Sequence, residues 1–394
     1  ERAFLVGSGL ASLASAAFLV RDAQMPGSAI TIFEELALPG GSMDGLYEEH
    51  KGFVVRGGRE MEAHFETLWD LFRSIPSLAT PDASVLDEMY WLQKNDPSSN
   101  PARAIQNRGE LIENMPDLTL TPKAIEQILT LALTREEDLN DKRIDECFTE
   151  EFFESNFWLY WATMFAFERW ASAMEMRRYI LRFIHHISSL ADLRSLRFTR
   201  YNQYESLIRP LVVFLEGHGV TFQYDTQVDN ILIANEAGEK VAKTIQLTVG
   251  GVAQEIALTD TDLVFVTNGS ITESSTLGDN TTPAEVVTDR GGAWSLWKNL
   301  AAQDASFGHP EKFCENIPEA NWTISATVTL TDDRIAPYIQ KITGRDPRDG
   351  RIVTGGPCNS RGLISRRTAR HARQERTRST ACRAARFSGN KIQS

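Results

Sequence analysis

The beginning of the chain alternates between short apolar runs and glycine-containing turns. Residues Ala3–Val6 form an apolar run, Gly7–Ser12 is small and polar, and Leu13–Arg21 continues with apolar residues at helical spacing. After a further turn, Ala29–Phe33 is a second apolar run rich in β-branched residues. This order of strand, glycine turn, helix and strand predicts a Rossmann-type βαβ unit and an α/β fold.

The turn after the first predicted strand has the residue types of a dinucleotide-binding loop. Gly7 permits a tight turn, and Gly9 lets the backbone approach a pyrophosphate. Leu10 and Ala11 lead from this turn toward the helix, whose unpaired N–H groups and positive dipole end attract that anion. Ser12 stands where the motif has its third glycine and is small enough for close packing of the helix on the strand. We therefore predict that all five residues bind the cofactor.

Two later features of this region indicate which dinucleotide is bound. Glu34 ends the second strand, where a carboxylate accepts hydrogen bonds from a ribose diol. The glycine-rich string Gly40-Gly41-Ser42 resembles the second loop of amine-oxidase-like flavoproteins, which favours FAD over NAD. An ordinary glycine turn remains the alternative interpretation of that string.

A second cofactor-related region lies far downstream. Leu207–Gly217 has helical spacing, and the strand-like run Val220–Tyr224 leads to Val228, whose backbone we expect to contact the adenine. Further strands are predicted at Ile231–Ile233, Val241–Val249 and Ala253–Leu258. Asp262–Val266 is predicted to be a buried parallel strand that brings Asn268, Gly269 and Ser270 to the cofactor.

The segment between these regions is helical and aromatic in pattern. Residues Phe152–Trp170 include nine aromatic side chains, which indicates either a thick core or the wall of a cavity for a long apolar substrate. We therefore predict a discontinuous FAD-binding domain at 1–60 and 207–290, of the GR2 or amine-oxidase-like type. The other predicted regions are a helical substrate-domain insert at 61–206 and a disordered tail at 357–394. Between residues 291 and 356 we predict strands on the substrate side, including Thr327–Leu330.

Composition limits the classes of function. A chain of 394 residues is long enough for two or three domains, and a net charge of −12 argues against nucleic acid as a partner. The four cysteines lack the spacing of a zinc site or a disulfide framework, and His185 and His186 lack a carboxylate at ligand spacing, so no metal site is predicted. The apolar run Ala3–Val20 is too short and too polar for a comfortable membrane span. We expect a soluble cytoplasmic protein.

The two ends of the chain differ from the rest. Residues 361–394 contain nine arginines, one lysine and a single acidic residue, Glu375. Such a basic tail without apolar periodicity is predicted to be disordered. We interpret it as out-of-frame translation or a mis-predicted splice, with a nucleic-acid or anionic-lipid tail as the alternative. At the other end the first predicted strand follows Glu1 closely, so we expect that natural residues precede it.

Several longer strings carry a resemblance to a known family. They are RGGREM at 56–61, WDLFRSIPSL at 69–78, YNQYES at 201–206, GLAS at 9–12, SVLDE at 84–88 and MRRY at 176–179. Together they resemble the oleate hydratase family, once called myosin-cross-reactive antigens, from Phe4 to about Gly356. The resemblance ends before the part that supplies carboxylate-binding residues, more of the FAD site, and membrane and dimer contacts in that family.

The resemblance implies the addition of water to a cis double bond of free unsaturated fatty acids such as oleate and linoleate. FAD is required in that family, without net redox change. The resemblance implies that Glu60 activates the water, that Tyr179 protonates the alkene and that Gln203 lies in the substrate pocket. Arg56 and Gly58, beside Glu60, are predicted to bind the cofactor. Peripheral membrane contact and a homodimer are further implications.

Two other functions fit the N-terminal motif. One is an FAD-dependent oxidoreductase of the amine oxidase and desaturase superfamily, which shares the glycine turn. The other is a non-catalytic FAD-binding or lipid-binding remnant, because the expected C-terminal elements are missing after Gly356.

Overall fold

A computed structural model describes most of the chain. It describes residues 1–48, 52–55, 60–97, 103–106, 110–111, 117–192, 194–270, 272–273, 275–285, 291–314, 330, 332–347, 352–355 and 386–387. The chain forms two compact units. Unit 1 contains residues 1–94 and 198–319, and unit 2 contains residues 95–197 and 320–394.

The secondary-structure elements are labelled in chain order. The strands are β1 Ala3–Val6, β2 Ile30–Phe33, β3 Gly45–Glu48, β4 Gly52–Val55, β5 Met61–Glu62, β6 Arg103–Gln106, β7 Glu110–Leu111, β8 Leu196–Arg197, β9 Thr221–Gln223, β10 Thr226–Glu236, β11 Glu239–Val249, β12 Val252–Ala257, β13 Leu263–Val266, β14 Ile352–Gly355 and β15 Arg386–Phe387. The α-helices are α1 Leu10–Arg21, α2 Glu66–Arg73, α3 Val85–Asn95, α4 Pro122–Leu133, α5 Glu150–Phe153, α6 Asn156–Phe165, α7 Ala173–Phe183, α8 Arg209–Gly217, α9 Gly292–Gln303, α10 Glu311–Cys314 and α11 Ala336–Thr343. A π-helix, Tyr204–Ile208, leads directly into α8.

A four-stranded parallel sheet is the centre of unit 1. Its strand order is β13-β1-β2-β9, and β1 pairs in parallel with both β2 and β13. All four residues of β1 are buried, as expected for a parallel strand covered on both faces. The predicted βαβ start is therefore confirmed, and β1 is central.

Side chains of β1 alternate between two hydrophobic cores. Ala3 and Leu5 belong to a core formed with α1, α2, α3 and α8. Phe4 and Val6 belong to a second core on the opposite face, formed with β10, β11 and α9. Because successive side chains of a strand point to opposite faces, this short strand anchors both layers of the unit.

The second layer is an antiparallel meander of β10, β11 and β12. Helix α9 packs against it through Leu296 and Leu300, which share a core with Val228 and Ile231. This meander matches the strands predicted at 231–258. Strand β13 pairs in parallel with β1 as predicted. It lies at the sheet edge with Leu263 37% exposed, so the prediction that this strand is buried is wrong.

Unit 2 is built on an aromatic helical core. Buried residues from α4, α5, α6 and α7 form one cluster that includes most of the aromatic side chains of Phe152–Trp170. Phe157 and Trp161 are completely buried and stack at 5.3 Å. Strands β15, β14, β6 and β7 form a separate four-stranded sheet in the same unit.

Several predicted elements differ from those observed. The segment predicted to be helical from residue 61 begins with the two-residue strand β5 and a turn, and its first helix, α2, begins at Glu66. Residues 291–356, predicted as strands, begin with helix α9, because Ala293, Leu296 and Leu300 bury one helical face. Of the strand predicted at Thr327–Leu330, only Leu330 is a described residue, and it belongs to no strand.

The boundaries of the two units also lie away from the predicted ones. Residues 61–94, assigned to the insert from the sequence, belong to unit 1, because Leu71 and Phe72 of α2 and Met89 of α3 are buried in the core with α1 and α8. The predicted tail 357–394 lies outside the described residues except for Arg386–Phe387, which form β15. Among the described residues, no helix combines the length and the apolarity that crossing a bilayer requires.

An ion pair connects Arg2, which precedes β1, with Asp262, which precedes β13. The carboxylate of Asp262, 1% exposed, accepts hydrogen bonds from the Arg2 guanidinium at 2.6 Å and the Arg2 backbone N–H at 2.8 Å. The Arg2 carbonyl in turn accepts from the Leu263 N–H at 2.8 Å. The side-chain hydrogen bond from Arg2 holds the pKa of Asp262 well below its usual range. This network fixes the register of β1 and β13.

We expect Asp262→Asn to lower the free energy of unfolding at pH 7 by roughly 1–3 kcal/mol, because charged hydrogen bonds are lost. A lowered carboxyl pKa stabilises the fold above about pH 4 and loses that effect as the pH falls. The difference from wild type should therefore shrink in acid. Urea denaturation at several pH values measures it, with Asp260→Asn as the control because Asp260 is 82% exposed. Equal effects of the two variants would contradict the prediction.

Candidate nucleotide-binding site

The turn after β1 lies at the centre of the candidate site. The Gly7 N–H donates to the Phe33 carbonyl at 2.9 Å, so the turn continues the pairing of β1 with β2. A β-carbon on Gly7 would lie 3.3 Å from Cβ of Asn268. The first glycine turn and the residue after β13 are therefore in close contact, as the sequence predicted for two parts of one site.

Two glycine loops approach each other beside this turn. Gly9 and Gly40 form an isolated parallel bridge, and the Gly40 N–H donates to the Ser8 carbonyl at 3.0 Å. A β-carbon on Gly41 would lie 3.2 Å from Cα of Gly9. Ser42 follows in the short 3-10 turn Gly41–Met43. The absence of side chains lets the two backbones pack directly.

The backbone of Gly9 also borders open space. A β-carbon on Gly9 would meet no atom of the described residues within 4 Å. Gly9 is the N-cap of α1, with Leu10 and Ala11 as its first two residues. An open approach to the N-terminus of a twelve-residue helix fits an anionic group such as a pyrophosphate.

Glu34 is held next to the same turn. It is buried, 8% exposed, and one carboxylate oxygen accepts from the Ser8 N–H at 2.9 Å and the Ser8 hydroxyl at 2.5 Å. The other oxygen accepts from the Leu36 N–H at 2.9 Å. These bonds fix the carboxylate at the end of β2, the position expected for a ribose-binding acid.

Ser12 has a bonding role in addition to its small size. Its side chain is completely buried, and its hydroxyl shares a hydrogen bond of 2.7 Å with the Thr267 hydroxyl. The Thr267 hydroxyl also donates to the Val6 carbonyl at 3.2 Å. Helix α1 is thereby tied to the ends of β1 and β13, where a glycine would provide no hydroxyl.

The turn Asn268-Gly269-Ser270 carries an unsatisfied group. The Asn268 side-chain oxygen is buried and has no hydrogen-bond partner among the described residues. Buried acceptors are normally paired, so this oxygen is suited to a donor on a ligand. Together with the open backbone at Gly9, it makes this strand end fit a bound dinucleotide.

Val228 is the predicted adenine contact. It is buried in β10, pairs with Leu247 of β11 and is followed by a β-bulge before Asn230. The Thr226 N–H donates to the Glu34 carbonyl at 3.0 Å, which places the start of β10 beside the predicted ribose carboxylate. Val228 therefore lies two residues along the strand from that contact.

The predicted acid and base belong to different units. Glu60, in unit 1, is half-buried and directly precedes β5. Its predicted neighbours Arg56 and Gly58 lie outside the described residues. Gln203, also in unit 1, is half-buried and forms the N-cap of the π-helix.

Tyr179 lies in unit 2, on α7. Its ring meets the rings of Phe165, Phe167 and Phe183 with centroids 5.1, 5.2 and 5.9 Å away. Burial raises the pKa of the Tyr179 phenol, and Glu175 one helical turn earlier raises it further. The phenol therefore stays protonated over the ordinary pH range.

Four residues that support this site escaped the sequence analysis. Ser8 and Thr267 bond to predicted site residues, and Glu273 and Trp297 hold the turn after β13 and helix α9. The position of Thr267 at the end of a predicted strand, opposite Ser12, was an available signal. The bonds of Glu273 and Trp297 depend on α9, which was not predicted.

The central parallel sheet, the glycine turn after β1 and the carboxylate after β2 define an α/β protein with a Rossmann-type βαβ unit. Within that class, the model of the MCRA family matches residues 1–374, and the chain belongs to this family. The resemblance found in the sequence is confirmed, and the matched region extends beyond Gly356.

Two relatives show how the similarity is distributed. The chain is 54% identical over 356 residues to the oleate hydratase of Streptococcus pyogenes. The aligned region covers 90% of this chain and 60% of that protein. The chain is 32% identical over 379 residues to the linoleate hydratase of Lactiplantibacillus plantarum, covering 88% and 65%. This chain thus spans less than two thirds of either relative. It also aligns with a CLA-producing fatty acid isomerase from P. acnes at TM-score 0.39 and 15% identity, over 67% of this chain and 58% of that one.

The close approach of the two glycine loops can be tested by adding a methyl group. Gly41 has φ +55° and a neighbour at 3.2 Å, whereas Gly238 has φ +89° and no described atom within 4 Å. Gly238→Ala should cost roughly 1–2 kcal/mol from the backbone alone. Gly41→Ala should cost roughly 1–3 kcal/mol more, because the loops must separate. Urea denaturation measures both, and equal losses would show that the approach adds no constraint.

Proposed function

We propose that the chain is an FAD-binding hydratase that adds water to a cis double bond of free unsaturated fatty acids. The observation that carries this proposal is its 54% identity to an oleate hydratase over 90% of the chain. Membership of the MCRA family and the glycine-lined strand end support it.

In this proposal FAD is bound by the loops around β1. Backbone N–H groups at Leu10 and Ala11 bind the pyrophosphate, and Glu34 binds the adenosine ribose. Val228 contacts the adenine through its backbone. The loops Gly40-Gly41-Ser42 and Asn268-Gly269-Ser270, together with Arg56 and Gly58, complete the cofactor contacts. The bound flavin contributes charge and shape to the site, without exchange of electrons in the net reaction.

The proposed reaction needs one acid and one base. Tyr179 donates its phenolic proton to one alkene carbon, while Glu60 takes a proton from a water whose oxygen bonds to the other carbon. One C=C π bond and one water O–H bond break, and one C–H and one C–O bond form. The proton taken by Glu60 later restores the phenol through solvent, so the net reaction adds one water and needs no oxidant.

The environment of Tyr179 supports its role as the acid. A phenol is a weak acid, and burial among Phe165, Phe167 and Phe183 raises its pKa further. It therefore keeps its proton at neutral pH, so the phenol is in the form that an acid needs when the substrate binds. A half-buried Glu60 suits a base, because a carboxylate oxygen can accept a proton from water.

The substrate class follows from the two relatives, an oleate hydratase and a linoleate hydratase. Gln203 in the pocket is proposed to orient the substrate. The cytoplasm as the site of action, peripheral membrane contact and a homodimer remain predictions from the sequence.

The assay combines the full chain, FAD and oleate under anaerobic conditions. We expect 10-hydroxystearate, identified by gas chromatography and mass spectrometry, without bleaching of the flavin absorbance. An FAD-dependent oxidoreductase would instead reduce the flavin in the presence of substrate and produce no hydroxy acid. Such a result would overturn the proposal, as would the absence of both product and FAD binding.

Two variants test the proposed acid and base. Glu60→Gln and Tyr179→Phe should each lower kcat about 10²–10⁴-fold, the usual contribution of a general base or acid. FAD binding should be unchanged, because neither residue is proposed to hold the cofactor. Tyr160→Phe is the matched control for Tyr179→Phe, because burial raises the pKa of Tyr160 to about 12 in the same aromatic core. A kcat loss as large in the control would remove the assignment of Tyr179.

The raised pKa of Tyr179 also predicts the pH profile. A general acid is active when protonated, so a pKa above the ordinary value of about 10 moves the alkaline limb of kcat to higher pH. We expect no loss of kcat from tyrosine ionisation between about pH 7 and 9. Removing the nearby charge with Glu175→Gln should move the alkaline limb down. A wild-type limb below pH 9, or an upward shift in the variant, would contradict this assignment.

A further inference from the structure

Helix α9 contacts the turn after β13 through Trp297. The indole N–H of Trp297 donates to the Asn268 carbonyl at 3.0 Å. A β-carbon on Gly269 would lie 3.4 Å from that indole nitrogen. The indole therefore contacts the peptide that joins Asn268 to Gly269, on the turn whose other side contacts Gly7.

That peptide has more than one accessible orientation without such a bond. Gly269 has φ +101°, in the region that glycine enters at little cost. A rotation of the Asn268–Gly269 peptide would exchange the directions of its carbonyl and its N–H. The indole bond selects one of these orientations, because only that orientation gives the N–H donor its acceptor.

A second contact fixes the position of the first turn of α9 relative to the turn Asn268–Ser270. The Glu273 N–H donates to the Ser270 carbonyl at 3.0 Å, and one Glu273 carboxylate oxygen accepts from the Ala293 N–H at 3.0 Å. That bond satisfies an orphan donor in the first turn of α9, and the carboxylate charge is favourable at a helix N-terminus. Trp297 lies one helical turn further along, so the cap sets its position.

Gly291 leaves the space that the capping carboxylate occupies. A β-carbon on Gly291 would lie 2.1 Å from the bonded carboxylate oxygen of Glu273. Any side chain at position 291 would displace the carboxylate. The Gly291, Glu273 and Trp297 contacts therefore form one arrangement, here called the α9 brace, which connects the helix to the turn Asn268–Ser270.

We propose that Trp297 and Glu273 are positioning residues for cofactor binding: they act through the Asn268–Gly269 peptide and do not touch the cofactor. The proposal rests on the FAD site proposed above. The brace holds the unpaired Asn268 side-chain oxygen and the Gly269 N–H in the orientation that the dinucleotide requires.

The first test is Trp297→Phe in the full chain, which keeps an aromatic ring and removes the indole donor. We expect the Kd for FAD, measured by titration of flavin fluorescence, to rise about tenfold, the effect of losing one hydrogen bond. Trp294→Phe on the same helix is the control and should leave the Kd within about twofold. Thermal unfolding of the two apoproteins should be similar, which separates positioning from general destabilisation.

The second test uses Glu273 and does not depend on an aromatic substitution. Glu273→Ala removes the cap and should weaken FAD binding about tenfold, whereas Glu273→Gln keeps an oxygen acceptor for the Ala293 N–H and should restore most of the affinity. Gly291→Ala should weaken binding as Glu273→Ala does. A merely structural role would predict losses that follow the apoprotein unfolding temperature.

The outcomes separate this inference from the proposed function. If the wild-type chain fails to bind FAD, the proposed cofactor site is wrong and the brace loses its role with it. If the wild type binds FAD and Trp297→Phe and Glu273→Ala bind it equally well, the brace proposal alone is overturned. Equal losses in Glu273→Gln and Glu273→Ala would also overturn it.

Discussion

The close approach of two backbones at the end of β1 is the constraint on which the site depends. The bridge between Gly9 and Gly40 brings the loops so close that a β-carbon on Gly41 would lie 3.2 Å from Cα of Gly9. Its position is set by β1, which is paired on both edges and buried on both faces. The rigid centre of the sheet thus ends in a loop pair that leaves the Gly9 backbone accessible. A cofactor that is bound by backbone groups requires both a rigid sheet and a loop whose backbone is not covered by side chains.

The two proposed catalytic side chains belong to different compact units. Tyr179 lies against three phenylalanine rings in a helical core, where its neutral form is favoured. Glu60 lies at the start of a short strand in the unit that carries the glycine turns.

Much of the nucleotide-binding unit could be predicted because its signals are local. The run Ala3–Val6 became β1 without change, since a short apolar segment before a glycine turn has few alternatives. Helix α9 was missed, because residues 291–356 were predicted to be strands although Leu296 and Leu300 have helical spacing. The bond between Ser12 and Thr267 joins residues 255 positions apart, and pattern analysis along a chain does not register such pairs. Glu60 was identified by family resemblance alone.

The strand order of the parallel sheet has a consequence for biosynthesis. Arg2 and its partner Asp262 are separated by 260 residues, and β1 obtains its second neighbour only when β13 has left the ribosome. At roughly 5–20 residues per second, the N-terminal strand waits on the order of 10–50 s with one edge and much of its apolar surface uncovered. During that interval the nascent chain offers a template for wrong strand pairing. Chaperone dependence in the cell would therefore arise from the order of synthesis, whatever the stability of the finished fold.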